Sequence, residues 1–172
     1  MNETLLAHSM GQAFCHGVKA LQGLRSGEWI APYVVYWHED QPLPVSYRAA
    51  TQAEAVEKAI AERKQKSAAG ASWAAGREGV IDLPGGGQFD TLVIEGWIPG
   101  LDPIAEMFVY RRKQPFRLIR GFLWKSHPYA GRDTPAFMEE FKRGILSDPF
   151  GRQCLDAVAH AENLPFSRGA GA

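Results

Sequence analysis

Cysteine is scarce in this chain of 172 residues, with only Cys15 and Cys154, near opposite ends. Two cysteines do not make the disulfide framework of a small secreted domain. Both fall in apolar helical patterns, so each reads as a small buried hydrophobe. His16 follows Cys15, but neighbours on a helix point about 100° apart, so adjacency does not make a reactive thiol–imidazole pair. An excess of either charge is also missing: 19 Lys and Arg face 19 Asp and Glu, and the pI is about 7.0. That balance supplies no whole-molecule attraction for nucleic acid or anionic lipid. No apolar run approaches the roughly 18 residues of a membrane span. His8, Ser9, Gln12 and His16 interrupt the N-terminal stretch too often for a signal peptide. The expectation is a cytoplasmic protein that does not enter a membrane.

Motifs specific for a reaction are absent too. No serine sits in G-x-S-x-G. Gly85-Gly86-Gly87 lacks the lysine and hydroxyl residue that a phosphate loop places at a helix start. Gln88-Phe89-Asp90 follows it and opens a strand, so the glycines read as a hairpin turn. The five histidines are His8, His16, His38, His127 and His160. His8 and His16 stand two helical turns apart, not at the i, i+4 spacing of a zinc helix. No metal and no cofactor is expected. His38-Glu39-Asp40 reads as a solvated turn.

Present is ample material for one globular domain, with 45% hydrophobic and 22% charged residues. A domain of roughly 150 residues buries about 70% of its unfolded surface. Residues 1–166 read as one domain and 167–172 as a disordered tail. Leu6, Met10, Phe14, Val18 and Leu21 recur at helical spacing. Gly11, Gly17 and Gly23 weaken that helix, which therefore needs tertiary packing or the close approach of another backbone. Tyr33 to Trp37 is a β-branched and aromatic strand. A short return strand over Val45–Arg48 belongs at an edge because of Pro42 and Pro44. Thr51-Gln52-Ala53-Glu54 is a capping box that opens a helix running to about Lys66, with Val56, Ala59, Ile60 and Arg63 on one face. Four strand-like segments follow, near 72–83, 89–98, 106–113 and 116–125. Their connectors are too short for parallel crossovers, so they form an antiparallel meander. Thr134-Pro135 and Asp148-Pro149 each place a capping residue before a proline, opening two final helices. Phe137, Phe141 and Ile145 give one its apolar face; Phe150, Cys154 and Val158 give the other's.

The fold class is thus α+β with a mostly antiparallel, curved sheet. Helix, hairpin, helix and meander in this order are compatible with cone folds of the NTF2-like kind, an analogy of element order alone. The sheet is apolar on both faces, so both need cover. The first helix and the Thr51 helix are expected on one face, and the C-terminal helices or a second copy of the chain on the other. Glu95 shares a face with Val93 and Trp97, and a carboxylate there needs a partner. Arg111, Arg112 and Arg120 are the expected ones. The basic hairpin 106–125 interleaves Arg111, Arg112, Lys113, Arg117, Arg120 and Lys125 with aromatic residues, but it has no RNA-binding motif. Three functions are compatible with these residues. The first is a non-catalytic binding module, homodimeric where a bare sheet face self-pairs. The second is a small-molecule pocket or enzyme lined by Glu95, Trp97, Tyr110, Arg112 and Trp124. The third is nucleic-acid binding through the basic hairpin.

Overall fold

Apolar periodicity, caps and turns place the elements, and the computed structural model describes residues 3–25, 27–38, 41–82, 87–111, 117–120, 135–160 and 162–163. In chain order they are α1 (Glu3–Gly23), β1 (Tyr33–His38), β2 (Gln41–Ser46), α2 (Gln52–Ala68), β3 (Trp73–Asp82), β4 (Gln88–Trp97), β5 (Ile104–Arg111), β6 (Arg117–Arg120), α3 (Pro135–Leu146), α4 (Gly151–Ala159) and β7 (Glu162–Asn163). The sheet order is β2-β1-β3-β4-β5-β6-β7. Every pairing is antiparallel except that of β7 with β6. The fold is α+β, and β3 to β6 form the expected meander. The parallel pair at β7 has no signal in the local sequence.

β2 is an edge strand, and its prolines protect it. The Tyr47 amide donates to the Pro32 carbonyl at 2.7 Å, continuing the β1–β2 ladder. Antiparallel alternation then turns the backbone nitrogens of positions 42 and 44 away from β1, toward the open edge. Both positions are proline, so two of the donors a foreign strand would need do not exist.

The helices divide between the faces differently from the sequence expectation. Leu6, Met10, Phe14 and Val18 of α1 join Phe137, Phe141 and Ile145 of α3 and Cys154 of α4 in one buried cluster. Tyr33, Val35, Leu92, Ile94, Tyr110 and Leu118 complete it from the sheet. α2 lies over the opposite face, where Val34, Trp73 and Ala75 form a smaller cluster edged by Tyr36, Tyr47 and Trp97. The reason is steric as well as hydrophobic. A Cβ on Gly11 would overlap the Phe141 carbonyl, and one on Gly144 would overlap the His8 carbonyl. α1 and α3 therefore cross with backbones in contact, a fit that α2 has no glycine to make.

α2 buries Ala55 and Ala59. The face expected around Val56, Ile60 and Arg63 is only half-buried. Its capping box is formed: the Glu54 amide donates to Thr51 Oγ1 at 3.2 Å and the Thr51 amide to Glu54 Oε2 at 3.4 Å. α4 starts later than the Asp148-Pro149 pattern predicts. Asp148 Oδ1 accepts from the Phe150 amide at 2.7 Å and the Asp148 carbonyl from Gly151 at 2.8 Å. Asp148 thus holds a turn ahead of the helix rather than capping it. Val158, expected to be inward, is exposed. Thr134, the turn glycines Gly85 and Gly86, and the tail 167–172 lie outside the described residues.

Candidate functional site

Period-2 alternation decides which sheet side chains can meet. Glu95 pairs with Ala105 and therefore faces α2, whereas Tyr110 pairs with Asp90 and Leu118 and faces α1. Glu95 and Trp97 share a face, and the sheet separates both from Tyr110. Arg112 and Trp124 lie outside the described residues. Glu95 needs a partner as expected, but it takes Arg63 of α2 and Arg77 of β3. Arg77 Nε is 3.5 Å from Glu95 Oε2. The Arg63 guanidinium also stacks over Trp73, 4.8 Å from the ring centroid, and Trp73 Nε1 donates to Ser67 Oγ at 2.9 Å. Two guanidinium groups on one carboxylate make this group a clamp between α2 and the sheet. The expected partner Arg111 stands opposite Arg117 at the far end of β5, whereas Glu95 pairs with Ala105 near its start.

A more deeply buried carboxylate is Glu78, 5% exposed on the α1 face. It accepts from the Ile30 amide at 2.7 Å and from the Tyr110 hydroxyl. The alternation Ala74, Gly76, Glu78 carries this signal in the sequence. Glu78 ties the connector between α1 and β1 to the sheet. The same connector is braced by a turn in which the Arg25 amide donates to Glu28 Oε2 at 2.8 Å and the Glu28 amide to the Arg25 carbonyl at 3.1 Å. Gly27, with φ 85°, makes that turn possible. The braced connector presents Trp29.

Trp29 forms one wall of a cavity of about 340 Å³ that also takes in His16, Ala20, Leu24, Ile30, Ser46 and Arg48. His16, Ala20 and Leu24 follow at steps of four, so they form one stripe at the end of α1. One turn earlier, Gln12 joins His16, Val35, Pro44, Ser147, Asp148 and Pro149 around a second cavity of about 200 Å³. His16 is the wall between the two. Its ring meets Tyr33 edge-on, with centroids 4.5 Å apart. Burial pushes the His16 imidazole below its ordinary pKa of 6.5, Asp148 opposes that shift and Lys19 adds to it. Gln12 Nε2 donates to Ser147 Oγ at 2.9 Å, while Gln12 Oε1 is buried with no partner among the described residues. The larger cavity therefore combines an apolar lining of Ala20, Leu24, Trp29 and Ile30 with the imidazole of His16 and the side chain of Arg48.

No family model, curated protein or solved structure matches this chain. The likeness of its element order to cone folds stays an analogy. Among the described residues, no group of three or more His, Cys, Asp or Glu is placed to hold a metal ion, and no helix is long and apolar enough to cross a membrane. Sequence reasoning missed Trp29, which stands outside the periodic elements, and Arg48, which it places in a return strand over 45–48, whereas β2 spans Gln41–Ser46 and ends before it. The one legible sign was a tryptophan in a short, polar connector.

Proposed function

We propose that this protein is a non-catalytic binding module whose ligand is a small anionic molecule with a flat apolar body. The observation that carries this reading is the 340 Å³ cavity, in which Trp29, Leu24 and Ile30 form the bed and Arg48 and His16 supply the polar contacts. Binding sites of this size combine apolar walls with a few convergent polar groups. An exposed guanidinium at the mouth favours a carboxylate or a similar anion. Glu95 is held in the clamp under α2 and Trp97 edges the small cluster beside it, which speaks against them as the pocket. A cytoplasmic location stays part of the proposal.

2-Naphthoate is a suitable probe, followed by isothermal titration calorimetry. Saturable one-to-one binding is expected, weakened about tenfold by Arg48→Ala and abolished by Trp29→Ala. Absence of saturable binding, or equal affinity of the Arg48→Ala protein, refutes the site.

The twofold dimer expected from a bare sheet face loses its motive, because Val93 and Val109 on the α2 face and Leu92, Ile94 and Tyr110 on the α1 face are all buried within one chain. The proline-blocked edge of β2 gives strand pairing no better opening. For nucleic acid, the described part of the basic hairpin offers Arg111 and Arg117 as a cross-strand pair, which adds nothing in favour of that reading.

A further inference from the structure

We propose that Cys15 and Cys154 are an oxidisable pair that closes an intramolecular disulfide between α1 and α4. The two residues are 139 positions apart in the chain, yet their sulfurs lie 2.8 Å apart. Both are fully buried. Two cysteines serving only as small hydrophobes would be free to point at any neighbour in the core; these point at each other. Cys154 is also the only side chain beyond a Cα hydrogen that α4 buries completely, its other buried residue being Gly151. A disulfide needs a sulfur–sulfur distance of about 2.0 Å, so closure draws the two sulfurs in from 2.8 Å.

Hydrogen peroxide is an oxidant small enough for this site. One thiol, as thiolate, attacks a peroxide oxygen; the S–O bond forms, the O–O bond breaks, and the departing hydroxide takes up the thiol proton as water. The second sulfur then displaces the sulfenic hydroxyl, which leaves as water with the second thiol proton. Two thiols and one peroxide thus become one disulfide and two waters, sulfur giving up two electrons and peroxide accepting them.

Surroundings set the rate. The thiol–thiol hydrogen bond, burial and the nearby Asp148 carboxylate all push the Cys15 thiol above its ordinary range. Thiolate is therefore scarce and exchange slow. Access comes from local opening of α4, a helix of nine residues whose N-cap, Phe150, makes no side-chain capping bond. The pair is a slow latch, open as two thiols in a reducing compartment, rather than an exchange catalyst. Once closed, it pins α4 and the Asp148 turn against α1, beside Gln12 and His16. This holds whatever the pocket binds.

The test uses the whole chain under native conditions. After hydrogen peroxide treatment, denaturation and alkylation with iodoacetamide, both thiols are expected to escape labelling, with the mass lower by two hydrogens and no oxygen gained. The chain should stay monomeric on a non-reducing gel and melt roughly 10 °C higher, reversibly with dithiothreitol. Two labelled cysteines, sulfinic or sulfonic acid in place of the lost pair, or only interchain cross-links would each overturn the proposal. A melting temperature raised equally by peroxide in the Cys154→Ser protein would overturn it too. The mass measurement on the unaltered chain decides even if that variant does not fold.

Discussion

Thr51 and Glu54 illustrate what a single residue's chemistry makes legible. Their reciprocal bonds span three positions, so the pattern contains the whole interaction. Glu95 is legible only in part. Alternation along β4 shows that its carboxylate shares a face with apolar residues and needs a cation, but its partners come from α2 and β3, which only the packing brings within reach. His16 was visible as a helical histidine and no more; its half-buried place between two cavities comes from the packing of α1 against the connector, the β1–β2 pair and the Asp148 turn. Its depressed pKa has a consequence for stability. The unfolded chain takes up a proton at about the ordinary value of 6.5, whereas the folded chain resists it because burial disfavours imidazolium. Stability from this group is therefore complete above pH 6.5 and declines as pH falls through that value toward the folded pKa. Melting temperatures measured between pH 8 and pH 5 should show this decline in the wild-type protein and a smaller one in His16→Gln. Parallel curves for the two proteins would remove His16 as the cause.

Among the elements, existence and type were readable, while ends and partners were less so. α1 declared itself by steps of four and three, and its glycines announced a need for close packing. Gly11 meets that need against α3, and Gly17 does so against Tyr33 and Leu92; Gly23 has no heavy atom of another group near its would-be Cβ. This difference gives a prediction within one motif. Gly11→Ala and Gly144→Ala should each destabilise the protein by about 1–3 kcal/mol, because the obstructing atoms are backbone and cannot swing aside. Gly23→Ala should be neutral or stabilise by up to about 1 kcal/mol. Urea denaturation midpoints at constant slope check both statements, and equal effects at the three sites would contradict the crossing described. α4 starts later than its Asp-Pro pattern predicts because that pattern is ambiguous. The same aspartate that can cap a helix can bond the amide two residues on and hold a turn, and here it does the second.

For the molecule as a whole, apolar residues on both sheet faces meant two layers of cover. With α1, α3 and α4 on one face and α2 over β1 and β3 on the other, apolar residues of both sheet faces are buried within one chain. Sedimentation equilibrium at micromolar concentration should accordingly give a species of 19.0 kDa, and mass rising with concentration would show that a surface not described by this layering pairs the chains. The sequence by itself determined the α+β class, the antiparallel meander, the proline-guarded edge strand and the capped helix, because each rests on contacts between near neighbours or on a period of two or 3.6. Only the tertiary structure decided which helix lies on which face, which arginines hold Glu95, that Glu78 anchors the connector bearing Trp29, and that two cysteines 139 positions apart touch. Those are encounters between distant segments. They depend on where a helix can approach closely and on which face a strand's register turns inward, and no local pattern records either.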